Sequence, residues 1–145
     1  MMNDFEQNQL VELPYVIFYV KNIPDLLVFY KQAFNLSPSF VHESGHFAEL
    51  ISGVVTLAFR SESMAASSLP QEFQSNHLSS PLQAFEVSFH TKDVHAVYER
   101  AIKAGATNVA LPHIKPWGQK AANVRDPAGI LIEITEYPKG ESKTV

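Results

Sequence analysis

Two carboxylates set in otherwise apolar, strand-like runs are the residues of this sequence hardest to explain as packing. Glu133 lies inside Ile130-Leu131-Ile132-Glu133-Ile134, where an ionised acid is costly to desolvate unless it is paired or ligated. Glu86 sits between Phe85 and Val87, so an extended chain turns the acid and its apolar neighbours to opposite faces. Two acids in one aromatic hollow support either of two chemistries. Their oxygens, with waters, could hold Mg²⁺ or Mn²⁺, the hard cations that carboxylates suit. Alternatively, they could join the rings of Tyr15, Tyr19 and Phe59 in receiving a cationic or aromatic small molecule through charge and cation–π attraction. The second chemistry needs fewer missing parts, and no cofactor is required by the residues themselves.

Other chemistries are excluded by what the chain lacks. It has no cysteine, hence no thiol nucleophile, no disulfide and no Cys-bound metal or iron–sulfur cluster. Its six histidines form neither an HxH nor an HExxH pair, and no GxSxG, P-loop or GxGxxG segment occurs. Eleven Lys+Arg against fifteen Asp+Glu give a net charge of −4 with no basic run, which argues against nucleic-acid or anionic-membrane partners. The start, MMNDFEQNQL, is acidic and polar, and no apolar run approaches the ~20 residues of a membrane span. The expectation is a cytoplasmic protein.

The elements that must position these side chains occur twice. Tyr15-Val16-Ile17-Phe18-Tyr19-Val20 predicts a strand. Asn22 then caps a helix carrying Leu26, Phe29, Tyr30 and Ala33 on one stripe, and Asn35 ends it. Strands near 38–43, 46–52 and 54–60 follow. The second half repeats the order: a strand over 84–90, the cap Asp93, the stripe Val94, Val97, Tyr98 and Ala101, the stop Gly105, then strands near 106–111, 120–125 and 130–136. The reading is an α+β fold of two βαβββ modules forming a curved mixed sheet around a central cleft. Residues 1–12 form an N-terminal extension, 13–60 the first module, 61–80 a polar linker or loop, 81–137 the second module and 138–145 a C-terminal tail.

Placing Asn22 on Asp93 pairs Tyr15 with Glu86, and placing Gly53 on Gly129 pairs Leu57 with Glu133. A one-residue slip would pair Tyr15 with Phe85 and turn the strand over. With the first register, alternation adds Ser88 and His90 to the face of Glu86 and sets Leu57 beside Phe59.

These residues resemble the vicinal oxygen chelate superfamily, which includes glyoxalase I, bleomycin-resistance proteins and extradiol dioxygenases. The carriers are Phe18-Tyr19-Val20-Lys21-Asn22-Ile23 leading to Phe29-Tyr30, Thr91-Lys92-Asp93 leading to Gly105-Ala106, Lys115-Pro116-Trp117-Gly118-Gln119, and Asp126-Pro127-Ala128-Gly129 running into Ile130–Ile134. The last two are the most specific and are closest to the bleomycin-resistance-like branch. The resemblance implies a homodimer, a cleft bordered by Trp117, and in metal-dependent members a divalent ion held at the positions here occupied by Tyr15, Leu57, Glu86 and Glu133. Only Glu133 is of a usual ligand type. Two functions stay open: binding of a small aromatic or cationic molecule, or metal-dependent lyase, isomerase or dioxygenase chemistry on Glu86 and Glu133.

Overall fold

The computed structural model describes residues 8–51 and 53–138. The expected tail 138–145 lies outside them except for Pro138, as does all of the expected extension 1–12 before residue 8. The first half runs β1 (Tyr15–Val20), α1 (Ile23–Phe34), β2 (Pro38–Val41), β3 (Phe47–Ile51) and β4 (Thr56–Ser61). A short helix, α2 (Glu62–Ser68), leads away from β4. The second half runs β5 (Val87–Thr91), α3 (Val94–Ala104), β6 (Thr107–Ile114), β7 (Lys120–Arg125) and β8 (Leu131–Glu136).

Both long helices begin and end by the same local chemistry. The Asn22 side chain accepts the Asp25 amide at 3.1 Å, and Asp93 accepts the Ala96 amide at 3.0 Å, each satisfying an orphan donor of the first turn. Asn35 at φ 57° and Gly105 at φ 113° close them in the left-handed conformation. Within α2, Ser61 caps the Met64 amide at 3.2 Å. That helix replaces the first part of the expected 61–80 loop.

Each half forms its own four-stranded sheet, in the orders β1-β4-β3-β2 and β5-β8-β7-β6, with the first pair of each parallel and the others antiparallel. The α+β class and the βαβββ order match the expectation, but the strands form two sheets and not one continuous sheet. β1 and β5 are therefore both edge strands.

One face of each sheet packs on the helices. Phe18, Val20, Leu50, Leu57 and Phe59 of the first half share a single core cluster with Val124, Ile130, Ile132 and Ile134 of the second. Each such buried side chain contributes roughly 1.5–3 kcal/mol. The seam between the halves is also polar. Arg100 of α3 donates to the Gln32 carbonyl of α1 at 2.6 Å, and the Tyr30 hydroxyl donates to buried Asp126 at 2.7 Å.

Candidate functional site

The facing edges of β1 and β5 leave a cavity of about 740 Å³ between the sheets. Its walls include Val16 and Leu57 from the first half and Phe85, Glu86, Ser88 and His90 from the second, and the β3–β4 turn at Val54 and Val55 covers one side. Phe18 stacks on Phe85 across the gap, with ring centroids 5.6 Å apart, so aromatic surface bridges the two sheets. His90 lies 5.2 Å from Tyr137, ring to ring. Glu86 immediately precedes β5. Partial burial raises its pKa above the ordinary carboxylate range, the charge of Glu133 adds to that, and the Lys115 ammonium opposes it. The two acids of the second half therefore feel each other across one sheet face.

Glu133 owes its own position to the parallel pairing of β5 with β8, which sets it opposite Ser88. On its other side, the β7 pairing sets it opposite Asn123. Only 8% of its surface is exposed. The Ser88 hydroxyl donates to Oε1 at 2.9 Å, and Lys115 donates to Oε2 in a close ion pair. Lys115 comes from the β6–β7 turn. Its amide donates to the Gln119 carbonyl at 2.9 Å, its carbonyl accepts the Gly118 amide at 2.8 Å, and Gly118 supplies φ +91°. The ammonium also sits 5.0 Å from the Trp117 ring centre.

Of the residues singled out in the sequence, Leu57, Glu86, Ser88 and His90 line the cavity, while Glu133 stands behind Ser88 on the neighbouring strand. Phe59 does not: it is fully buried against Tyr30 on the helix side of its sheet. Tyr15 and Tyr19 lie on the opposite face of β1, where Glu49 accepts the Tyr15 hydroxyl and raises its pKa, and Tyr19 packs edge-on against Phe73 at 5.2 Å. Trp117 is more than half exposed, beside Lys115 and outside the cavity lining.

The pairing of Leu57 with Glu133 is corrected by register. Val16 opposes Leu57 and Val87 opposes Ile132, so matching Val16 with Val87 places Leu57 on Ile132 and Ala58 on Glu133. Leu57 therefore points toward the helices, and the outer-face counterpart of Glu133 is a methyl group. Residues that sequence reasoning did not assign to the site are Lys115, Phe18, Phe85 and Val54, whereas Val55, expected from alternation along its strand, does line the cavity. For Lys115 the available signal was its place in the Lys-Pro-Trp-Gly-Gln segment.

A divalent ion does not fit this donor set. Both oxygens of Glu133 are engaged, one of them by a cation, and among the described residues no group of three or more His, Cys, Asp and Glu side chains converges. Zinc- or iron-type sites are built from three or four protein ligands.

A family model described as the Glyoxalase/Bleomycin resistance protein/Dioxygenase superfamily matches residues 12–134. No curated protein sequence matches. Among solved structures, the chain is similar to a glyoxalase-related enzyme from Fulvimarina pelagi at TM-score 0.78 and 17% identity, covering 89% of this chain and 90% of that one. It is similar to a glyoxalase/bleomycin resistance protein/dioxygenase family enzyme from Burkholderia phytofirmans PsJN at TM-score 0.68 and 23% identity, covering 87% and 98%. TioX from Micromonospora sp. ML1 follows at TM-score 0.66 and 20% identity, covering 88% and 100%. At these identities the likeness shows the fold.

Proposed function

Because this chain belongs to the Glyoxalase/Bleomycin resistance protein/Dioxygenase superfamily, we propose that it is a binding protein, homodimeric and cytoplasmic, which takes a small aromatic molecule of cationic character into the cavity between β1 and β5, in the manner of the bleomycin-resistance branch. One observation carries the reading. The cavity is large enough for a drug-sized molecule, its walls are largely aromatic and aliphatic, and Glu86 is the acid placed on them. A cation stacked near Phe85 gains ring attraction and the Glu86 charge together. Metal-dependent lyase, isomerase or dioxygenase chemistry is the weaker reading, because Glu133, the acid whose charge Glu86 feels, is already paired with Lys115.

The proposed dimer rests on the edges. Tyr15 and Ile17, on the face of edge strand β1 away from the cavity lining, are exposed apolar side chains. A second copy would cover them. Sedimentation at micromolar concentration is expected to show twice the 16.2 kDa chain mass, and a monomer would remove this part of the proposal.

Ligand binding is tested with two dyes, ethidium as a cationic aromatic and 8-anilinonaphthalene-1-sulfonate as an anionic one. Ethidium is expected to bind the more tightly, and Glu86→Gln to weaken it about tenfold, the worth of ~1.4 kcal/mol. Preference for the anionic dye, or indifference to Glu86→Gln, would overturn the reading.

A further inference from the structure

At the outer face of the second sheet, a fixed ammonium group stands against Glu133, the acid at a position where the resemblance implies a metal ligand in metal-dependent relatives. Lys115 is not a loosely tethered surface lysine. Its turn is closed by two backbone hydrogen bonds, Trp117 Nε1 donates to Gln119 Oε1 at 3.0 Å, and Gln119 Nε2 donates to the Glu136 carbonyl of β8 at 2.7 Å. The lysine is thus braced against the strand that carries Glu133. The side chains of the pair keep only 18% and 10% of their accessible surface, so the charges meet with little water between them. A divalent ion arriving at Glu133 would have to displace both the ammonium and the Ser88 hydroxyl, and would meet like charge while doing so.

We infer that Lys115 is a built-in replacement for a divalent cation at Glu133, and that it is what closes this chain's site to metal. Without the ammonium, the same face would offer hard oxygen donors: Glu133 itself, Glu86, the Ser88 hydroxyl and the Asn123 amide across the β7–β8 ladder. Such a set suits Mn²⁺ or Mg²⁺ over softer ions. The inference is independent of which molecule fills the neighbouring cavity, because it concerns the ion alone.

The test is titration of the full-length, chelator-treated protein with Mn²⁺, followed by the electron paramagnetic resonance signal of the free ion. Wild-type protein is expected to show no saturable binding tighter than the millimolar order typical of weak oxygen sites. Lys115→Met, with its fold checked by near-ultraviolet circular dichroism, is expected to bind Mn²⁺ at least tenfold more tightly, and adding Glu133→Gln should abolish the gain. Should Lys115→Met fail to fold, Lys115→Gln keeps a donor for Glu133 while removing the charge and takes its place. Micromolar Mn²⁺ binding by the wild type that disappears in Glu133→Gln would overturn the inference. So would a folded, uncharged variant at position 115 that gains nothing.

Discussion

The β3–β4 hairpin and the β7–β8 hairpin occupy the same place in the repeated order, yet their surroundings differ in almost every respect. In the first, Val54 is fully exposed, an added side-chain atom at Gly53 would meet nothing within 4 Å, and the turn borders the cavity. In the second, Asp126 is completely buried and accepts the amides of Ala128 at 2.9 Å and Ile130 at 3.0 Å as well as the Tyr30 hydroxyl. Arg125 beside it donates to the carbonyls of Gly129, His77 and Ser80 at 3.0, 2.7 and 2.9 Å, holding the connecting chain down. Duplication supplied two equal turns. One is a structural anchor between the halves, and the other borders the cavity.

The anchor makes the largest prediction. Burial is the main cause that pushes the Asp126 carboxyl from 3.8 up to about 6, against the opposing pull of its hydrogen bonds from Tyr30 and the turn amides. A carboxyl whose pKa is higher folded than unfolded favours folding when protonated. That contribution is full below pH ~4 and is lost as pH rises through about 6. With two pKa units of difference, the urea stability of wild type relative to Asp126→Asn should fall by about 3 kcal/mol between pH 4 and pH 7. A flat difference curve would mean that the turn is no anchor.

A smaller effect separates the two glycines. Gly129 holds φ +93°, and a side-chain atom there would lie 2.9 Å from the His77 carbonyl carbon, where backbone must move. Gly129→Ala should cost about 2 kcal/mol or more in urea unfolding, through left-handed strain and displacement of the His77 segment. Gly53→Ala should stay within ~0.5 kcal/mol of wild type. Equal costs would erase the contrast between the hairpins.

The sequence reveals what is local and periodic. The caps Asn22 and Asp93, the stops Asn35 and Gly105 and the buried stripes of α1 and α3 all act within a few residues, and the structure bears them out. The acids at 86 and 133 were legible because a charge in a β-branched or aromatic run needs a partner. Their partner was not, since Lys115 reaches Glu133 only through the β6–β7–β8 ladder. Phe59 was assigned to the cleft, and Leu57 paired with Glu133, because glycine positions served to align the hairpins, and the hairpins differ by one residue in where that glycine falls. The helix over Glu62–Ser68 has no apolar period, and its cap Ser61 was read as part of the polar loop. Arg125 holds carbonyls 45 and 48 residues away, a long-range role that its composition does not announce.

The outer faces repeat the lesson of the hairpins. Where the second sheet carries Glu133 and its lysine, the first carries Ala58, with Tyr15 and Glu49 joined over it. Helix-facing positions stayed apolar in both copies, since any polar group there would lack a partner, whereas positions away from the core were free to diverge.

The free hairpin yields the smallest effect and the most direct view of the cavity. Val54 faces water and buries nothing on folding, so Val54→Asp should leave urea stability within ~0.5 kcal/mol of wild type. It nevertheless sets a second negative charge at the rim of a cavity that already holds Glu86. A charge added at a surface rim acts through high dielectric, so the gain in ethidium affinity should be only about threefold. It should fade toward 1 M salt, where the screening length falls to about 3 Å. A gain that persists at high salt would mean direct contact with the dye, and the turn would then be part of the binding wall. No gain at low salt would put the cation somewhere other than between β1 and β5.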